Sequence, residues 1–200
     1  MKLGDNEQLT SGTSLKMLGF TFSPEPNINM QVDNLIKKAN KRYFLMLRYK
    51  RAGLPTSKLK DIYGSVIRSC LEYSVPVYHP QLNQYQTDQL EKVQKRSLRL
   101  IYGYDKSYSD LLQLSGLNSL EDRRIVQFRR FANNSLKNKK YQHWFPLNKN
   151  IRTGRHTNKY LEETAVGNRL YKSPIYAMRR YLNQSENKIP PEITNLFSIA

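Results

Sequence analysis

Gln84-Tyr85-Gln86-Thr87-Asp88-Gln89-Leu90-Glu91-Lys92-Val93-Gln94-Lys95-Arg96-Ser97-Leu98-Arg99-Leu100-Ile101-Tyr102-Gly103 reads as one amphipathic helix with a marked end. Leu90, Val93, Gln94, Ser97, Leu98 and Ile101 recur at the three- and four-residue spacing that places them on one stripe. Lys92, Lys95, Arg96 and Arg99 fall on the opposite face. Gly103 stands just past the last periodic residue, where a left-handed C-terminal cap favours glycine. The segment therefore predicts a helix from about Gln84 to Tyr102, with an apolar side to bury and a basic side to present.

The same pattern extends toward the N-terminus. Val32, Leu35, Ile36, Ala39, Tyr43, Met46 and Leu47 form a second stripe over residues 32–51, with Lys37, Lys38, Lys41 and Arg48 opposite. Gly53-Leu54-Pro55 breaks that helix, and Thr56 or Ser57 is placed to cap the next. There Leu59, Ile62, Tyr63, Val66, Ile67 and Cys70 predict a buried stripe over 57–72, and Tyr73 to Pro80 reads as a loop. Toward the C-terminus a short helix spans Asp110 to Ser115. A longer one opens on Ser119-Leu120-Glu121-Asp122, a capping-box pattern, and ends near Lys140. Beyond it Arg152 to Lys159 lack apolar periodicity, and a last short helix spans about Ile175 to Leu182.

The sequence thus predicts a mainly α protein, a helical bundle with a short N-terminal β strand or hairpin and an irregular basic tail. The expected divisions are a disordered polar leader at 1–14, a hairpin at 15–24, a helical domain at 30–140 and a basic, partly irregular tail at 141–200. The strand signal is Leu15-Lys16-Met17-Leu18-Gly19-Phe20-Thr21-Phe22, ending at Ser23-Pro24.

Charge narrows the partner. Lys and Arg number 33 against 16 Asp and Glu among 200 residues, a formal net charge of +17. Such a surplus repels itself unless a polyanion is near. Two helices with four basic residues each opposite their apolar stripes, together with Arg123, Arg124, Arg129, Arg130, Lys137, Lys139 and Lys140, favour phosphate contacts over a merely solvated face. Of the 14 tyrosines, Tyr102, Tyr104, Tyr108, Tyr160, Tyr171 and Tyr176 adjoin basic residues and are candidates to stack on bases or sugars. No run of about 18 apolar residues is present to span a bilayer. The basic helices also lack an aromatic insertion face for a membrane surface. The single cysteine, Cys70, suits a reducing compartment, the nucleus or cytoplasm.

Several chemistries are disfavoured by the residues themselves. Two-metal phosphoryl transfer needs converging carboxylates. Acids here are spaced singly, apart from Glu121-Asp122, read as a helix start, and Glu162-Glu163, read as a surface patch. His79, His143 and His156 lie far apart, with no zinc or iron spacing, and there is no glycine-rich nucleotide loop. Cys70 falls on an apolar stripe and reads as a buried structural thiol. No catalytic residue, metal, cofactor or small-molecule substrate is expected.

Met17-Leu18-Gly19-Phe20 followed by a basic amphipathic helix resembles the end of the palm in reverse transcriptases of non-LTR (LINE, jockey-like) retrotransposons. Lys41-Arg42-Tyr43-Phe44-Leu45 to Arg51-Ala52-Gly53 resembles the first thumb helix of that family, and Ile62 to Tyr73 its most recognisable segment. Pro76-Val77-Tyr78-His79, Leu90 to Gly103, Tyr108 to Arg124 and Arg169 to Tyr176 follow in the family's order, so the likeness covers roughly residues 14–184. The resemblance implies a helical thumb that grips a template–primer duplex, with Leu18 and Gly19 as a primer-grip-like turn. It implies backbone contacts to an RNA–DNA hybrid or duplex by Lys37, Lys38, Lys41, Arg48, Lys92, Lys95, Arg96 and Arg99. The family's fingers and palm, with the metal-binding aspartates, are missing, so the fragment is expected to bind without catalysing. The alternative expectation is a non-functional transposon relic or a small protein/RNA interaction module. Part of this region is also similar to a short N-terminal segment of an alkylated-DNA repair dioxygenase–methyltransferase family, whose iron ligands and methyl-donor loop the chain does not carry.

Overall fold

The structure is a computed structural model that describes residues 15–17, 20–22, 28–148, 159–161 and 171–184. Leu15–Met17 (β1) and Phe20–Phe22 (β2) pair antiparallel, with Leu15 opposite Phe22 and Met17 opposite Phe20. The expected leader at 1–14 and the Leu18–Gly19 turn lie outside the described residues. Among the described residues eight α-helices follow: α1 Ile28–Arg51, α2 Thr56–Ile62, α3 Ser69–Glu72, α4 Val75–Tyr78, α5 Gln84–Tyr102, α6 Tyr108–Ser115, α7 Leu120–Lys137 and α8 Pro174–Asn183.

α1 and α5 pack along each other and carry the first core. Val32, Leu35, Ala39, Tyr43 and Met46 of α1 meet Leu90, Val93, Leu98, Leu100 and Ile101 of α5, with Leu59, Tyr63, Ile67, Leu71, Val75 and Tyr78 closing the cluster. The stripes expected on both helices are therefore the buried ones, apart from half-buried Ile36 and Leu47. Ile62 and Val66, expected as core, are also only half-buried, because they sit at the rim of their stripe. The start of α5 is held by a reciprocal cap. Asn83 Oδ1 accepts from the Gln86 amide at 2.9 Å, while Gln86 Oε1 accepts from the Asn83 amide at 2.9 Å.

The expected helix over 57–72 is interrupted: Tyr63–Arg68 between α2 and α3 is π-helical. Three carbonyls here accept side-chain donors that compete with the helical ladder. Asp61 O takes the Ser65 hydroxyl at 2.8 Å, Ser65 O takes the Ser69 hydroxyl, and Val66 O takes Arg42 Nη1 of α1 at 2.8 Å. The stretch expected as a loop, Tyr73 to Pro80, contains α4 and the 3₁₀ turn His79–Gln81. Ser74, at φ +56°, turns the chain sharply, and Pro76 sits where a first helical turn tolerates it. Gly103 ends α5 at φ 118° and ψ 158°. This is not the left-handed cap expected but an extended mirror conformation, essentially restricted to glycine.

A second core lies on the far half of α7. Phe128 and Ala132 pack with Phe145, Tyr160, Ala177 and Met178. The described parts of 141–200 thus pack on α7: the 3₁₀ segment Lys139–Trp144 follows it, Leu147 bridges Tyr160, and α8 lies alongside.

The first core also encloses a polar network. Tyr63 donates its hydroxyl to Gln94 Oε1 at 2.5 Å, and Gln94 Nε2 donates to Tyr108 Oη and to the Asn118 carbonyl, both at 2.9 Å. Tyr108 in turn donates to Glu91 Oε2 at 2.5 Å. The Gln94 amide is satisfied at both ends, which is what makes a buried polar side chain tolerable.

Candidate nucleic-acid interface

An α-helix places residues four and seven apart on nearly one line. Lys37, Lys41 and Arg48 therefore share an outward ridge of α1, and all three are exposed. Phe44 lies on the same ridge and is 65% exposed. Lys38, also exposed, stands about 100° round the helix, on the flank where Arg42 reaches Val66. The other flank faces α5. There Asn40 Oδ1 accepts from Arg96 Nη2 at 3.2 Å, and the Arg96 guanidinium lies 3.9 Å from the centroid of the Tyr43 ring.

On α5, Lys92 and Arg96 are exposed while Lys95 and Arg99 are half-buried. Lys92 and Arg96 line a shallow groove of about 280 Å³ between the helices, with Ile36 and Asn40 on its opposite wall. Lys95 Nζ stands 6.0 Å over the Tyr108 ring. Arg99 buries its Nε without a hydrogen-bond partner among the described residues. The groove thus brings Lys92 and Arg96 of α5 against Ile36 and Asn40 of α1, while Lys37, Lys41 and Arg48 stand on the outer ridge of α1 beside it and Lys38 lies to one side.

Acids do little to offset this surface. The ion pairs among the described residues are Arg68–Glu72, Lys106–Asp105 and Arg123–Glu72, and none involves the eight candidate cations. Glu91, on α5 itself, is occupied by Tyr108 and by the Glu121 amide at 2.8 Å. Asp88 accepts from Gln84 Nε2 at 3.0 Å. Burial, and then the neighbouring Tyr104, push the Tyr43 hydroxyl up to about 12. The ring beneath Arg96 therefore stays neutral near pH 7.

Two residues expected on the outer basic surface are turned inward instead. Arg123 pairs with Glu72, and Arg124 is only 2% exposed. The signal for Arg124 was present: with Leu120 and Phe128 it forms a four-residue ladder on the buried stripe of α7. The candidate tyrosines also divide. Tyr104 and Tyr171 are exposed, whereas Tyr160 belongs to the second core and Tyr108 to the Gln94 network. Tyr102 and Tyr176 are half-buried. Leu18 and Gly19 lie outside the described residues. Among the described residues, no group of three His, Cys, Asp or Glu is placed to hold a metal ion, and no helix is long and apolar enough to cross a membrane. Comparison with protein-family models, with curated proteins and with solved structures gives no match.

Proposed function

We propose that this chain is a non-catalytic nucleic-acid-binding element that grips the sugar–phosphate backbone of an RNA–DNA hybrid or duplex. The observation that supports the reading is that the eight candidate cations of the adjacent helices α1 and α5 have no carboxylate partner among the described residues. Cations left unpaired by their own fold remain free to displace counterions from a nucleic-acid backbone. Contacts of this kind position a protein on its ligand without reading sequence. The thumb-like identity, as a fragment of a non-LTR retrotransposon reverse transcriptase, rests on the ordered motifs of the sequence. On that reading the palm and fingers of the polymerase supply the chemistry, and the protein works in the nucleus or cytoplasm.

A second reading, a small protein-interaction module, draws on Phe44 and Leu45, both exposed on α1. Salt dependence separates the two. Binding to a hybrid duplex should weaken with a log–log slope of roughly −3 to −4 if about four phosphates are neutralised. Replacing Lys37, Lys41, Arg48 and Lys92 together by Gln should flatten that slope by about two to four units without loss of helicity. A folded quadruple variant with an unchanged slope would displace the nucleic-acid reading in favour of a protein partner.

A further inference from the structure

Away from the basic groove, a cavity of about 370 Å³ opens between the start of α5, α7 and α8. Its lining includes His79, Arg124, Arg180, Tyr181 and Gln184. We propose that this cavity binds a phosphate monoester of mononucleotide size, with Arg124 and Arg180 as the groups that recognise the phosphate.

The argument starts from Arg124. The residue is 2% exposed, yet its Nε and Nη2 have no hydrogen-bond partner among the described residues. No carboxylate among the described residues pairs with it. A guanidinium cannot shed its proton near neutral pH, so the fold buries a positive charge whose Nε and Nη2 edge no described protein group takes up. Buried charges are ordinarily paired. Nε and Nη2 together form the edge of the guanidinium that takes an oxyanion with two parallel hydrogen bonds. The uncommitted edge is therefore the one suited to phosphate.

The surroundings fit the same ligand. His79 leaves Nδ1 buried without a partner among the described residues, while its Nε2 lies 3.4 Å from the Tyr181 hydroxyl. Arg180, half-buried, stacks 3.8 Å from the Tyr171 ring centroid and supplies a second cation to the cavity. Glu121 also lines the cavity, but it is exposed, where solvent screens its charge. The volume exceeds what a bare phosphate ion fills and lies in the range of small-ligand sites. That leaves room for an organic group against the Tyr181 ring.

The test is thermal unfolding and calorimetric titration of the full chain at constant ionic strength, with sodium chloride as the balancing salt. Inorganic phosphate, adenosine monophosphate and adenosine are compared. Adenosine monophosphate should raise Tm saturably, inorganic phosphate should do so more weakly, and adenosine should not. Arg180→Ala should weaken the monophosphate about tenfold, the loss of one charged contact. Arg124→Met should abolish the response, yet melt no lower than the wild type without ligand, because it removes an uncompensated buried charge. The proposal is overturned if neither anion gives a saturable response, or if the response survives in both variants. It is equally overturned if ligand-free Arg124→Met melts far below the wild type, which would mean that Arg124 is already compensated within the fold.

Discussion

Arg123 of α7 holds Glu72 of α3 with one edge of its guanidinium: Nε lies 2.5 Å from Oε1 and Nη2 3.1 Å from Oε2. Gln127 adds a third donor, from Nε2 to Oε2 at 2.7 Å. The two side chains are largely withdrawn from water, at 20% and 13% exposure. This pair fastens the helix carrying the second core to the first. Burial opposes the charged form of Arg123, but its hydrogen bonds to Glu72 outweigh that and push its pKa up.

Removing one member should strand the other. Arg123→Ala should cost about 2–3 kcal/mol, because Glu72 keeps a mostly buried charge with fewer donors. Glu72→Gln should cost less, since the amide oxygen still accepts. The double variant Arg123→Ala/Glu72→Gln should be more stable than the sum of the single changes implies. Urea midpoints of all four proteins check this, and strict additivity would show the pair to be uncoupled.

Ile67 is fully buried in the π-helical segment. Ile67→Ala should lower stability by about 2–4 kcal/mol. The half-buried Ile62 should lose only about 1 kcal/mol on the same change, since less apolar area is returned to water. Equal midpoint shifts for the two variants would contradict the burial pattern.

At Gly103 the backbone conformation excludes side chains. An added Cβ would also stand 2.5 Å from Asp105 Oδ1. Asp105 is exposed and can move, so backbone strain dominates, and Gly103→Ala should cost about 1–3 kcal/mol. Gly103→Asn should not recover the loss, because asparagine tolerates the left-handed helical region but not this one. Thermal unfolding of both variants measures the effect; a recovery by Asn would place Gly103 in an ordinary left-handed cap.

Burial, and then the charge of Arg124, hold the His79 imidazole down at about 4 against an ordinary 6.5. Between those values the unfolded chain takes up a proton that the folded chain refuses. Stability from neutral His79 is therefore complete above pH 6.5 and drains away as pH falls toward 4, by on the order of 2–3 kcal/mol. His79→Gln should flatten this part of the profile. Urea midpoints at pH 7, 6 and 5 in phosphate-free buffer give the comparison, and parallel profiles would remove His79 as the cause.

The sequence by itself determined the long helices, and the inward faces of α1 and α5. Helical periodicity is a local property, so the stripes of α1 and α5, the serine start of α7 and the glycine after α5 could be read residue by residue. It also determined that Lys37, Lys41, Arg48 and Lys92 face outward, since they stand opposite their own stripes. Only the tertiary structure decided what the other cations do. Arg96 lies on Tyr43, Arg123 on Glu72, and Arg124 is sealed beside His79, each through residues distant in the chain. The π-helical turn has the same origin, because one donor that disturbs it comes from Arg42 on another helix. Local spacing sets which side of a helix is apolar. Whether a charge on that helix meets water, a ring, a carboxylate or nothing depends on the neighbour that packing brings against it.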